Sequence, residues 1–445
     1  MRLHVRVLCP AAAAILASGC AAYSRRSLPT ASDALSEVAA VSSASAVQVP
    51  GLGLSTSAPQ ALDVTDAMTL AVLNDPDLKT ARLEAGVAKA QLFAAGLLPD
   101  PHLAAGVGRG PELTGYSLGV SEDIQAFVLR PAAQAQARAR RSQVDLAILW
   151  KEWQTAVAAG RLFIRVRKDE DLRAVIERSR GLLAQQYELD SADFQQNAAA
   201  VRKVAADLTV LSDADARLRR VQLDADAARH ELNYLLGLDP EARPSLRAAT
   251  GPAPALSREE FKDALGALAA HRVDLLALQA GYESQEQRLR AAVRAQFPAL
   301  TAGFRWGRGA ADGVHAVSLS VEVGLPVFNG NRGRVAIERA SREALRADYQ
   351  ARLDQAQSQA DGLWRSTTIM TEQLARLRAQ TAALKAMAGV AQQQFRSGEM
   401  DTGAYVGLET SLLQDEEESI RLRAALDADR LALNALLGTP FARPP

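Results

Sequence analysis

The stretch Val314-His315-Ala316-Val317-Ser318-Leu319-Ser320-Val321-Glu322-Val323-Gly324 decides how this sequence is read. Successive side chains of a strand point to opposite sides. Val317, Leu319, Val321 and Val323 therefore share one face, and Ala316, Ser318, Ser320 and Glu322 the other. Just upstream, Leu300, Ala302, Phe304 and Trp306 alternate with Thr301, Gly303 and Arg305. The pattern occurs twice more. Leu103, Ala105 and Val107 alternate with Ala104, Gly106 and Gly108, and Tyr116, Leu118 and Val120 with Ser117, Gly119 and Ser121. Apolar residues alternating with small polar ones, over ~9–11 residues, suit the wall of a membrane barrel with a wet interior. A half-buried soluble sheet is the rival reading. Four strands cannot enclose a lumen, however, and lipid tolerates no open sheet edge. A barrel would have to be shared among copies, and three copies would give 12 strands.

Long helices fill the spaces between these strand pairs. No proline occurs between Pro131 and Pro240, or between Pro326 and Pro440. At 1.5 Å per residue, a helix of about 50 residues reaches ~75 Å, longer than an ordinary domain is wide. Only 5% of the 445 residues are aromatic against 48% hydrophobic, which suits closely packed helices rather than a thick core. Val201, Val204, Leu208, Leu211, Leu218, Ala225, Leu232 and Leu236 fit one 3-4 register. Asp215, Gln222 and Arg229 fall on the same seam, so the reading is a coiled coil with polar interruptions. A plain helical bundle shares this period.

The sequence also repeats. Leu97–Leu103 has a counterpart in Ala295–Leu300, and Leu232-Asn233-Tyr234-Leu235-Leu236-Gly237 in Leu433-Asn434-Ala435-Leu436-Leu437-Gly438. Pro99 and Pro298 lie 199 residues apart, Asn233 and Asn434 201. Duplication explains the nearly equal offsets and divides the chain into units at 61–250 and 256–440. Each unit reads as helix, two strands and a long helical hairpin.

Residues 1–19 read as a secretory signal peptide, with Arg2 and Arg6 before the short apolar stretch Val7–Ala17. Its end, Leu16-Ala17-Ser18-Gly19-Cys20, resembles a bacterial lipobox, with Ala17 where Leu is commonest. That resemblance implies lipidation of Cys20, the sole thiol left once Cys9 departs. Ala21, where Asp would signal inner-membrane retention, favours the outer membrane. A signal peptide followed by a chance cysteine is the alternative. Residues 20–60 are a Ser/Ala-rich, loosely ordered leader.

With these pieces in place, the sequence resembles the TolC family of outer-membrane efflux proteins over almost its whole mature length. The most specific segment is Val317–Gly333, where a strand runs into Leu325-Pro326-Val327-Phe328-Asn329-Gly330-Asn331-Arg332-Gly333. Pro326 ends strand pairing, and Asn329, Gly330 and Gly333 permit the turn from barrel into helix. Asn74-Asp75-Pro76-Asp77-Leu78 and Gln394-Phe395-Arg396-Ser397-Gly398-Glu399 are also family-like. The resemblance implies a mostly α protein with a small β part. It further implies a homotrimer whose 12-stranded β-barrel continues into an α-helical tunnel. Such a trimer serves as the outer exit duct of a tripartite efflux system. Its partners would be a periplasmic adaptor (membrane fusion) protein, an inner-membrane pump of RND type and outer-membrane lipid. Trp150-Lys151-Glu152-Trp153-Gln154 resembles the heavy-metal-cation, CzcC-like branch.

Other chemistry finds little support. Charge is balanced at 51 basic against 51 acidic residues, which argues against a nucleic-acid binder. His102, His230, His271 and His315 lack metal-ligand spacing, and the methionines are scattered. Gly106–Gly110 runs into Pro111 rather than a helix and reads as a strand-end turn. No catalytic constellation, cofactor motif or metal set appears, so the chain reads as no enzyme. Arg138–Arg141 and Asp415–Glu418 read as solvated helix faces. The channel entrance is expected at two hairpin tips, Glu188–Asp193 and Ser397–Tyr405. Gly398 and Gly403 bracket the second turn, and Glu399 and Asp401 between them would form an acidic ring favouring cations. Arg396 would tie that tip to Asp190 or Asp193. Ordinary solvated turn residues are the alternative at both tips. A lipid-anchored periplasmic coiled-coil scaffold or adaptor without a pore remains the competing function, though it leaves the strands unexplained.

Overall fold

The computed structural model describes residues 23–32, 34–35, 49, 52, 61–110, 114–196, 200–247, 254–311 and 313–439. The expected signal peptide, Cys20 and most of the leader lie outside them. The chain divides into two compact units, Met1–Leu35 and Ser36–Pro445. In the first, residues 23–32 are exposed and carry no helix or strand. Every helix and paired strand described below belongs to the second.

Helices α1 (Val64–Asn74) and α2 (Pro76–Gly96) lead to strands β1 (His102–Arg109) and β2 (Thr114–Asp123). A hairpin of α3 (Ile124–Gln195) and α4 (Val201–Leu235) follows. The order then recurs, with α5 (Arg258–Gly266), α6 (Leu268–His271) and α7 (Val273–Arg294) ahead of β3 (Ala299–Arg308) and β4 (His315–Gly324). The second hairpin is α8 (Arg332–Ser397) and α9 (Thr402–Leu437). α3 has 72 residues and α8 has 66. At 1.5 Å per residue each is about 100 Å long.

Local chemistry repeats along with the elements. Asp63 with Asp66 forms a capping box on α1, as Ser257 with Glu260 does on α5, each pair satisfying two otherwise orphaned N–H groups. Gly237 and Gly438, at φ +66° and +70°, close the ends of α4 and α9, where only glycine turns left-handed without cost. Asn233 and Asn434 are both buried. Asn233 Nδ2 donates to the carbonyl of Ala242 at 2.9 Å, and Asn434 Nδ2 to that of Pro254 at 3.2 Å. Each pins its hairpin's return arm to the segment beside it.

α3 is the spine, with α1, α2, α4, α7 and α9 all packing along it. The main core gathers Met68, Ala156, Ala159, Phe163, Val166, Ala228, Leu232 and Leu431. A Cβ on Gly160 would lie 2.6 Å from Leu431 Cδ2 and 3.1 Å from Met68 Sδ, so glycine sets the closest approach of α1, α3 and α9. A second core joins Phe261, Leu275, Ala356, Ala360, Leu433 and Leu437, with Trp364 stacked on Phe261 at 4.6 Å.

The seam of α4 differs from its expected register. Ala214, Val221, Ala228 and Leu232 are buried, alternating with half-buried Leu211, Leu218 and Ala225. The spacing is still 3-4, but Asp215, Gln222 and Arg229 stand one position outside it. Asp215 accepts from Arg180 at 2.6 Å and Arg229 pairs with Glu170, so the charges flank an uninterrupted apolar seam. The run Asp415–Glu418 differs too. Glu417 is buried, held by Arg421 at 2.8 Å and faced by Arg217 at 3.8 Å, while Glu416 reaches Arg178 across to α3.

Candidate functional site

The four strands form one antiparallel sheet in the order β1-β2-β3-β4. Directly paired residues of an antiparallel sheet share a face. One row therefore aligns Ala105, Leu118, Trp306 and Val317, and the next Leu103, Val120, Phe304 and Leu319. Ala302 with Val321, and Leu300 with Val323, carry that face toward the helices, where Glu122 opposite Ala302 marks its polar border. The other face aligns Gly106, Ser117, Gly307 and Ala316, then Ala104, Gly119, Arg305 and Ser318, then His102, Ser121, Gly303 and Ser320. Both faces are as the strand alternation implied.

The apolar face lies open: Leu319 is 83% exposed, Val107 80% and Val321 66%. Around 20–25 cal/mol per Å² is forgone on such a surface in water. At the end of the sheet away from the helices, Trp306 lies 5.5 Å from Tyr116 and 5.9 Å from His315, ring centre to ring centre. These rings border the apolar band as interfacial aromatics do in membrane barrels. β1 and β4 each have one unpaired edge.

The connection from β4 into α8 uses the expected segment with a different division of labour. Gly330 (φ +50°) and Asn331 (φ +55°) make the left-handed turn. Asn331 Nδ2 donates to the Ala292 carbonyl at 2.7 Å, which ties the turn to α7. Gly333 already lies in the first turn of α8, where an added Cβ would meet nothing within 4 Å, so it is not a turn residue. Pro326 lies just beyond the last paired residue, Gly324, and Asn329 accepts the Arg332 N–H at 3.0 Å through its backbone oxygen.

At the far ends of the hairpins, Leu183, Ala214 and Val406 pack together, so the end of the first hairpin meets the start of α9. The second tip turns where expected. Gly398 closes α8 at φ +77°, and Asp401 caps α9 by accepting the Ala404 N–H at 3.0 Å. Phe395 stacks on Tyr405 at 4.7 Å to close that turn. Arg396, Glu399 and Asp401 are exposed there. The first tip lies later than Glu188–Asp193, because α3 continues to Gln195.

Asp190 is buried at 5% exposure, not a free acid, and Lys203 of α4 donates to its Oδ1 at 2.7 Å. Asp193 is exposed, and no ion pair joins Arg396 to either acid among the described residues. Sequence reading missed the partners on α4. Gln186 Nε2 donates to Asp207 Oδ1 at 3.0 Å, and both second oxygens, Asp190 Oδ2 and Asp207 Oδ2, are buried with no N–H donor, so only a carboxyl proton can bridge them. Burial, with the hydrogen bond and charge of Asp190 beside it, pushes the Asp207 carboxyl up to about 6. Burial also works upward on Asp190, but bonds from Lys203 and Asp207 outweigh it and hold that carboxyl low.

The residues that suggested a metal branch serve packing. Glu152 is buried and accepts from Arg82 at 2.7 Å, and Trp153 sits in the main core. Trp150 lies under Arg272 at 5.2 Å, and Arg272 grips Asp274 through two bonds of 2.6 and 2.9 Å. Among the described residues, no group of three His, Cys, Asp or Glu could hold a metal. No described helix is long and apolar enough to cross a membrane.

No protein-family model matches this sequence, and no curated protein does. Solved structures do match. The outer-membrane channel OprN is 17% identical, with a TM-score of 0.71 over 94% of this chain and 99% of that one. CusC, whose structures concern folding and transmembrane channel formation, is 15% identical, with a TM-score of 0.69 over 89% and 99%. The CmeC outer-membrane channel of Campylobacter jejuni is 14% identical, with a TM-score of 0.70 over 84% and 85%. The chain has the TolC-like outer-membrane-channel fold.

Proposed function

We propose that three copies of this chain assemble into an outer-membrane exit duct of the TolC family. Each copy contributes four strands to a 12-stranded barrel and two hairpins to a helical tunnel below it. One observation carries this reading: a four-stranded sheet, open at both edges, whose apolar side chains form a single exposed face. Lipid would cover that face, and pairing β4 of one copy with β1 of the next would leave no edge in the membrane. A coiled-coil scaffold in water would leave both the face and the edges uncovered.

The channel would be passive. Energy would come from an inner-membrane pump of RND type through a periplasmic adaptor meeting the hairpin tips. Cys20 would anchor the mature chain to the outer membrane by its lipid. The cargo would be small solutes. A heavy-metal-cation cargo rests on exposed Glu399 and Asp401 at the tip, since Trp150, Glu152 and Trp153 are engaged in packing.

Purified protein in a planar bilayer should give discrete conductance steps and run as a heat-dissociable oligomer in detergent. An aqueous monomer without conductance, once the acyl chains are removed, would favour the scaffold. Cys20→Ala should abolish labelling by a palmitate analogue, and persistent labelling would place the lipid elsewhere.

A further inference from the structure

The small-residue face of the sheet carries one long cation. Arg305 is exposed and makes no hydrogen bond or ion pair among the described residues. Its neighbours across the strands are Gly119 and Ser318, and along β3 they are Gly303 and Gly307. A Cβ on Gly303 would come within 2.7 Å of Ser320 Oγ, and one on Gly307 within 2.6 Å of the Tyr116 carbonyl oxygen. Both are glycines, so neither carries a side chain that could pair with or cover the guanidinium. The acids on this face, Asp123 and Glu322, lie in the row with Thr301, four residues along β3 from Arg305. At about 3.4 Å per residue that separation is ~14 Å, beyond the ~8 Å screening length of physiological salt. Asp123 is also occupied, since its Oδ1 accepts the Gln125 N–H at 2.8 Å to cap α3. A guanidinium stays charged at every relevant pH.

We infer that Arg305 sets the charge selectivity of the barrel lumen, forming a cationic belt that resists cations, divalent ones most. The inference rests on the barrel reading above and deepens it. Three copies would place three guanidinium groups at one level of the wall, with only Gly, Ser, Ala and His102 in that row and the rows on either side, and the acids two rows toward the helices. Rings of like-charged side chains are a general source of ion selectivity in pores. Any cation drawn in by acids at the entrance would meet this barrier before leaving the barrel. The belt narrows the proposed cargo: free metal cations drawn to Glu399 and Asp401 would be disfavoured in the barrel, and solutes without net positive charge pass more readily.

The test uses purified full-length protein in planar bilayers, with reversal potentials measured across a KCl gradient around 0.1 M, where the screening length is ~10 Å. The wild type is compared with Arg305→Ser, Arg305→Glu and Arg305→Lys. The potassium-to-chloride permeability ratio should rise severalfold in Arg305→Ser, rise further in Arg305→Glu and stay unchanged in Arg305→Lys. Magnesium conductance relative to potassium should follow the same order, and block by citrate should weaken in the Ser variant. Channels that form normally in all four proteins with one common permeability ratio would overturn the assignment. Wild-type protein that gives no channels would overturn the pore reading itself, and this inference with it. The two failures are thus told apart by whether the wild type conducts.

Discussion

Asp207 illustrates how a single carboxyl can carry a pH dependence that no spacing rule reveals. Its ordinary value lies near 3.9, and in the folded hairpin it is raised to about 6 by burial and by Asp190. A raised acid holds its proton more tightly in the folded state. It is neutral at no cost below its unfolded value, and stability falls as pH rises through the window up to about 6. Asp190 runs the opposite way, contributing stability above its usual value that is lost only in stronger acid. Asp207→Asn should mimic the protonated form, accepting from Gln186 and supplying a donor near Asp190 Oδ2. Its melting temperature should exceed that of the wild type at pH 8, by less at pH 5, and converge on it below the unfolded value near 3.9, as followed by circular dichroism. A difference of equal size at both pH values would remove titration as the cause. From the sequence, Asp190 and Asp193 read alike as tip acids. Only the fold separates them, because burial of Asp190 depends on Lys203 and Asp207 arriving from another helix.

Elements were legible in proportion to how strictly their period was written. The strand centres alternate apolar residues with mostly small ones, despite Ala105 and Ala302 on one face and Arg305 and Glu322 on the other, so their faces could be read directly, and the pairing keeps each set on one side. The α4 seam was misplaced because Ala214 and Ala228 carry little hydrophobic signal, while Leu211 and Leu218 fit either choice of partner. Alanine marks close helix approach rather than bulk. At the turn into α8 Gly330 signals a left-handed backbone, whereas Asn331 beside it takes the same conformation without the glycine that would mark it in sequence. An arginine on the lipid side of a barrel costs ~2–4 kcal/mol at the midplane, whereas a lumen position stays wet. Leu319→Arg should therefore reduce assembled oligomer far more than Ser320→Arg, scored on semi-native gels of membrane extracts. Equal losses, or the reverse order, would contradict the assigned faces.

At the scale of the whole molecule, duplication was the most readable feature. Matching offsets near 200 residues recur as matching element orders, matching capping boxes and matching glycine caps. A single copy, by contrast, leaves two strand edges and an apolar face unsatisfied. Four strands with an open edge at β1 and another at β4 make sense in lipid only if neighbouring copies close the ring. The closed ring is tested most directly by cysteine pairs placed across its seam. Leu103, Ala105 or Val107 on β1 is replaced by Cys together with Val317, Leu319 or Val321 on β4, and membranes are oxidised and run on non-reducing gels. At least one combination should yield a covalent trimer that neither single-cysteine control forms. If every combination stays monomeric, or links only within one chain, the shared barrel is wrong.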